Sequence, residues 1–158
     1  MDLIPSFQID HTRLLPGIYV SRVDEVGGDF VTTFDLRMKR PNIDPTVEPA
    51  AMHTIEHLVA TRLRNDPEWK DRIVYFGPMG CLTGCYLLVK GRPTPKELLA
   101  PVKAAYEFCA DYEGEVPGAT PAGCGNCRLH DLAGAKIEAK RYADLLKTAP
   151  CFVYPSAN

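Results

Sequence analysis

Apolar and polar positions first fall into a regular pattern at Gly17, where Ile18, Val20 and Val23 recur in a strand-like rhythm up to Val26. Asp24 to Asp29 contains Gly27-Gly28, a signal for a tight turn. From Phe30 to Met38 the residues separate into two sets: Val31, Thr33, Asp35 and Arg37 on one side, Phe30, Thr32, Phe34, Leu36 and Met38 on the other. This alternation predicts a half-buried strand, paired with the first as a hairpin. Pro41 to Pro49 reads as a loop, and a helical period follows over residues 48–65. Ile55, Val59 and Leu63 make its core stripe, while His53, Glu56, His57 and Ala60 make a second. Pro49 suits the first turn of that helix, and Asp66-Pro67 stops it.

Arg72 to Phe76 predicts a short strand, Gly77-Pro78-Met79-Gly80 a break, and Cys81 to Lys90 a further strand. Thr94, with Pro95 after it and Glu97 three residues on, has the form of a capping box. The helix it opens is expected to run to about Tyr112, with a kink or restart at Pro101. Glu113 to Cys127 is a loop rich in Gly and Pro, and Asp131 is placed to cap a last helix ending near Lys147. Residues 1–16 are irregular and carry the polar set Ser6, Asp10 and His11. Strands that come in neighbouring pairs point to an α+β fold: an antiparallel β-sheet packed against three to four helices, in a single domain over residues 1–158.

Composition narrows the function more than the fold. Eighteen basic and 20 acidic residues are nearly balanced and form no basic stripe, which argues against nucleic acid and against an anionic membrane surface as partners. No apolar run reaches the length of a membrane span, and the first five residues have none of the layout of an export signal. The expectation is a soluble cytoplasmic protein whose six cysteines are reduced. Cys109 on an apolar helical face and Cys151 near the tail read as small buried apolar groups, as does Cys85.

The chemistry concentrates at His53-Thr54-Ile55-Glu56-His57, an H-x-x-E-H cluster. A helix turns about 100° per residue, so positions three and four apart share a face. Two imidazoles can then hold a metal, with a carboxylate beside it. Two ligands do not complete a site, and Gly123-Cys124-Gly125-Asn126-Cys127 offers a third. C-x-x-C can be half of a structural zinc site, a redox pair, or the source of one thiolate in a His₂Cys set with an open position. The glycines around Cys124 would let its backbone approach a helix face. Cys81, after a Gly-Pro-Met-Gly turn, is either a core cysteine or an exposed thiol that a nearby cation makes acidic.

Taken together, His53-Thr54-Ile55-Glu56-His57-Leu58, Gly77-Pro78-Met79-Gly80-Cys81-Leu82-Thr83-Gly84, Cys124-Gly125-Asn126, and Leu129-His130-Asp131-Leu132 with Gly134-Ala135-Lys136 resemble the S-ribosylhomocysteine lyase (LuxS) family. Ser6 to Thr12, Phe34-Asp35-Leu36-Arg37 and Arg40-Pro41-Asn42 match its opening segments, so the resemblance spans almost the whole chain. It implies a homodimer with active sites at the subunit interface and one divalent metal per subunit on His53, His57 and Cys124, with water as the fourth ligand. That metal would be Fe2+ in the cell, with Zn2+ as an occupant on purification. The resemblance also implies Cys81 and Glu56 as catalytic groups, and Ser6, His11 and Arg37 as substrate-binding residues. The implied reaction cleaves S-ribosylhomocysteine to homocysteine and dihydroxypentanedione, the autoinducer-2 precursor of quorum sensing, in the methyl cycle. Leu82, Cys85 and Tyr75-Phe76 depart from the residues that members often carry.

H-x-x-E-H is also the motif of a class of zinc metallopeptidase, which would need a downstream carboxylate such as Glu138 as third ligand. A metal-stapled binding module would instead use both Cys124 and Cys127. His130 reads as structural, beside the cap of the last helix. Apart from the resemblance, His11 and Arg37 read as ordinary surface or salt-bridge residues.

Overall fold

The computed structural model describes residues 7–155. Four strands, β1 (Gly17–Val26), β2 (Asp29–Arg37), β3 (Ile73–Pro78) and β4 (Gly84–Lys90), form one antiparallel sheet in the order β1-β2-β4-β3. Three helices, α1 (Pro49–Arg64), α2 (Pro95–Asp111) and α3 (Leu132–Thr148), complete the α+β arrangement that strand pairing predicts. The β1–β2 hairpin closes with Val26 opposite Asp29. Gly27 and Gly28 have φ of 60° and 89°, and two successive positive φ values are what a two-residue turn needs to match the strand twist.

β2 departs from the expected half-buried strand. Every residue from Thr32 to Lys39 is buried, so both faces are covered. Phe34, Leu36 and Met38 join the core. On the other face the tail lies over the sheet: Tyr154 stacks on Tyr19 of β1 at 4.6 Å, and its hydroxyl donates to Asp35 at 3.0 Å. Arg37 donates to the same carboxylate through Nε at 3.1 Å and Nη2 at 2.6 Å. A polar face can be buried because its charges are paired and hydrogen-bonded.

β4 begins three residues later than the alternation suggests, at Gly84. Cys81, Leu82 and Thr83 form the turn before it, with the Leu82 N–H donating to the Met79 carbonyl at 2.9 Å and Leu82 at φ 57°. A leucine in the left-handed region is a strained choice, and it turns the chain sharply beside Cys81.

α1 has the predicted bounds, from an N-cap at Glu48 and Pro49 at its start to a C-cap at Asn65. Ala51, Met52, Ile55, Leu58, Val59 and Leu63 are buried against β3, α2 and α3. The stripe of His53, Glu56, His57 and Ala60 is half-buried along one edge. α2 opens on the predicted capping box at Thr94 and continues through Pro101 with no restart. Leu98, Val102, Ala105, Tyr106 and Cys109 are buried on both sides of that proline, and tertiary packing outweighs the hydrogen bond it removes. Asp131 caps α3 by accepting from the Gly134 N–H at 2.9 Å.

Cys85 and Cys109 are fully buried, as expected. Cys151 is only half-buried; it serves through its backbone carbonyl, which accepts from the Ile18 N–H at 2.9 Å. Among the described residues no helix is long and apolar enough to cross a membrane.

The Asp35–Arg37 pair makes a specific prediction. Arg37→Met alone leaves a carboxylate buried without its cation and should cost about 3–5 kcal/mol in urea denaturation. The joint change Asp35→Leu with Arg37→Met should recover most of that loss. Equal losses in the single and double variants would show that the pair is not the reason.

Candidate active site

His53 and His57 lie one turn apart on α1, their rings edge-on with centroids 4.8 Å apart. Each ring is held from behind by the loop that joins α2 to α3. The Nδ1–H of His53 donates to the Leu129 carbonyl at 2.7 Å, and the Nδ1–H of His57 donates to the Pro117 carbonyl at 2.7 Å. A carbonyl only accepts, so in each ring Nδ1 carries the proton and Nε2 presents a lone pair. This is the outer support usual behind metal-binding histidines.

The same loop delivers Cys124, whose Sγ is 3.4 Å from His53 Nε2. The Cys124 N–H donates to the Thr120 carbonyl at 2.9 Å, which curls the segment back over α1. Of the two glycines flanking Cys124, only Gly123 answers a close approach: a Cβ there would lie 2.8 Å from the Gly118 carbonyl oxygen. A Cβ on Gly125 would meet nothing within 4 Å, so that glycine is not what brings the thiol in.

The ligand atoms of His53, His57, Cys124 and His130 lie within 4.8 Å of one another. Two imidazole nitrogens with free lone pairs and a thiol suit a divalent transition metal. Cys127 is outside this group, which removes the second thiolate that a closed structural site would use. His130, read from the sequence as structural, belongs to it. Its ring stacks on His53 at 4.2 Å, and its Nδ1 is 3.1 Å from the Thr54 hydroxyl. Burial and the neighbouring His53 and His57 hold its pKa below the usual imidazole value. No periodicity could have placed it, since 76 residues separate His130 from Thr54.

Glu56 lines the cleft of about 390 Å³ that contains His53, His57 and Cys124. Glu138, the third ligand a peptidase reading requires, instead pairs with Lys39 at 2.5 Å and Arg141 at 3.2 Å.

A second pocket of about 450 Å³ holds His11, Arg37, Cys81, Thr83 and Tyr86. His11 is anchored by Nδ1–H donation to the Ile9 carbonyl at 2.9 Å. Arg37, clamped by Asp35, turns its Nη1 to the Thr83 hydroxyl at 2.6 Å and to Cys81 Sγ at 3.9 Å. Cys81 is exposed, with its sulfur 3.1 Å from the Thr83 hydroxyl. Desolvation by the turn pushes the Cys81 thiol up. Hydrogen bonds from the Thr83 hydroxyl and N–H, with the Arg37 charge, outweigh it and hold the thiol below its ordinary range. Cys85, four residues on, shows the contrast: burial pushes it up to about 12.

Ser6 lies outside the described residues. Thr83, Asp35 and Tyr154 form the support behind Cys81 and Arg37, and sequence reasoning assigned none of them to it. The alternation Asp35–Arg37 on one strand face was a usable signal for a buried pair; Tyr154, 119 residues from Asp35, had none. The two pockets share no lining residue.

The profile of the S-ribosylhomocysteinase (LuxS) family matches residues 4–149. An S-ribosylhomocysteine lyase from Phocaeicola vulgatus is 61% identical over 142 residues, covering 90% of this chain and 88% of that protein. One from Porphyromonas gingivalis is 57% identical, covering 90% and 89%. Another from Clostridium beijerinckii is 47% identical over 99% of this chain and 100% of its own.

The lowered thiol pKa of Cys81 sets a pH dependence. Its alkylation by iodoacetamide, followed by mass spectrometry at that residue, should rise with pH to a midpoint below that of a free cysteine. Thr83→Val removes a hydrogen bond that stabilises the thiolate, so the midpoint should move to higher pH and alkylation near neutrality should slow. An unchanged profile in Thr83→Val would show that Thr83 does not tune the thiol.

Proposed function

The chain belongs to the S-ribosylhomocysteinase (LuxS) family, and we propose that it cleaves the thioether of S-ribosylhomocysteine in a metal-dependent reaction, releasing homocysteine and 4,5-dihydroxy-2,3-pentanedione, the autoinducer-2 precursor. The observation that carries this reading is the convergence of His53, His57 and Cys124 beside Glu56, on a chain that also holds an activated thiol at Cys81.

His53 Nε2, His57 Nε2 and the Cys124 thiolate hold one divalent ion per subunit, Fe2+ in the cell and Zn2+ as an occupant on purification. When bound, the ion supplies Lewis-acid polarisation of the substrate's oxygens. A thioether is a poor leaving group until a carbanion forms next to its carbon. The opened sugar therefore moves its carbonyl along the chain before elimination. Cys81, as thiolate, removes a proton from one carbon and returns it to the neighbouring one, an aldose–ketose isomerisation with no net change in oxidation state. Glu56 carries protons for the substrate oxygens and for the remaining carbon-acid step. In the final β-elimination a carbon loses its proton, the C–S bond breaks, and the electron pair leaves with sulfur, which is protonated to the thiol of homocysteine. Cys81 and Glu56 thus divide the work between groups of different intrinsic acidity.

Arg37 and His11, with Ser6, hold the ribose oxygens. Arg37 is prepared for this by Asp35 and Thr83, which leave its Nη1 side turned toward the Cys81 pocket. Because the metal cleft and the thiol pocket have separate linings, the reading includes a homodimer in which a second copy completes each active site at the interface. The whole chain acts as one catalytic unit in the cytoplasm, in signalling and the methyl cycle.

Cys81→Ala and Glu56→Gln should each abolish homocysteine release in a thiol-detection assay while retaining stoichiometric metal. Full activity in either would remove that residue from the chemistry. His57→Ala and Cys124→Ala should lose metal by elemental analysis; retention in both would mean that other residues bind it. Sedimentation should give a species of twice the 17.5 kDa chain mass, and a species of the chain mass alone would rule out the shared site.

A further inference from the structure

The C-terminal segment reaches the ion pair behind the thiol pocket, although Tyr154 lies past residue 149, where the match to the family profile ends. Its backbone is fixed to β1. The Cys151 carbonyl accepts from the Ile18 N–H at 2.9 Å, and Cys151 forms a parallel bridge with Gly17. That approach needs a glycine, because a Cβ on Gly17 would collide with the Cys151 carbonyl. From α3 the Tyr142 hydroxyl donates to the Gly17 carbonyl at 2.7 Å and secures the same point. Three residues on, the Tyr154 ring lies flat on Tyr19 with the planes 7° apart. The Tyr19 ring is held in turn by its hydroxyl, which donates to the Leu15 carbonyl at 2.7 Å.

Phenylalanine would stack on Tyr19 equally well; the hydroxyl is the part of Tyr154 that touches the site. It donates to Asp35 Oδ2 at 3.0 Å, the oxygen that also accepts from Arg37 Nη2 at 2.6 Å. Burial and the Asp35 charge push the Tyr154 pKa well above the ordinary tyrosine value, so the group stays a neutral donor. A carboxylate turns easily about its last bond, and a guanidinium forked onto it turns with it. A further hydrogen bond, from a ring that is itself held on β1, stops that turn. Arg37 Nη1 is then left facing the Thr83 hydroxyl at 2.6 Å and Cys81 Sγ at 3.9 Å. Aim matters here, since a displacement of about 1 Å can cost a reaction a factor of about a hundred.

We propose that Tyr154 is a positioning residue of the reaction: its hydroxyl fixes the Asp35 carboxylate and, through it, the Arg37 guanidinium beside Cys81. The C-terminal segment is then part of the active site without touching the substrate. This rests on the reading of Cys81 as a catalytic group and Arg37 as a substrate-binding one.

The test is Tyr154→Phe, which keeps the ring on Tyr19 and removes only the hydroxyl. Alkylation of Cys81 by iodoacetamide, followed by mass spectrometry across a pH series, needs no turnover. With Arg37 less well aimed the thiolate loses stabilisation, so the midpoint should move to higher pH than in wild type. A midpoint that stays, or moves lower, overturns the proposal. So does a shift seen in Tyr154→Leu but not in Tyr154→Phe, which would mean that the ring acts by packing alone. In the joint Asp35→Leu, Arg37→Met background the hydroxyl has nothing to position, and adding Tyr154→Phe should leave the Cys81 profile as it is. An equal shift there would show a route that bypasses Arg37 and would also overturn it. The kcat for homocysteine release should fall about tenfold in Tyr154→Phe; an unchanged kcat would deny the residue a part in the reaction. Full activity of Cys81→Ala, by contrast, would remove the reading on which the proposal rests while leaving the alkylation result to stand.

Discussion

Two backbone carbonyls determine what α1 can offer a metal. A histidine on a helix face can present either nitrogen, and only the partner of one fixes the role of the other. Pro117 and Leu129 supply those partners from opposite ends of the α2–α3 loop, and Cys124 lies between them in the chain. The loop is therefore the outer half of the site. Its docking is reinforced where the Asp131 N–H reaches both the Ala50 carbonyl and the Thr54 hydroxyl, so the cap of α3 is joined to the first turn of α1. Helix packing, loop path and ligand tautomer form one arrangement.

The thiol pocket is built on a different principle. Its centre is a buried ion pair on the outer face of β2, roofed by Tyr154. Such a pair contributes little net stability, because desolvating two charges offsets most of their attraction. Its use here is positional: with one edge of its guanidinium held by Asp35, Arg37 has its other edge aimed at Thr83 and Cys81. The sheet holds a cation in place beside a thiol, and the strained turn at Leu82 puts the thiol within its reach.

Elements with a period were readable from the chain. The hairpin, the two stripes of α1, the capping box at Thr94 and the cap at Asp131 all follow from local chemistry, and each appears in the fold. Three departures came from tertiary context. β2 is buried on both faces because the distant tail covers it. α2 passes Pro101 because its buried stripe holds both halves. Cys81 sits in a turn because Leu82 takes a conformation that its residue type does not announce. At the site, the motif on α1 and the cysteine after a glycine were legible. His130, Thr83 and Tyr154 were not, since their roles depend on contacts between segments far apart in the chain.

The acidity of Cys81 has a chemical liability as its other side. An exposed thiolate is the form that peroxide attacks, giving first a sulfenic acid and then the sulfinic and sulfonic acids that ordinary thiols do not reverse. Cys85 and Cys109, buried and each pushed up to about 12, are protected by the same burial that makes them inert. Of the six cysteines Cys81 is the exposed one, and the turn at Leu82 that exposes it also opens it to this chemistry.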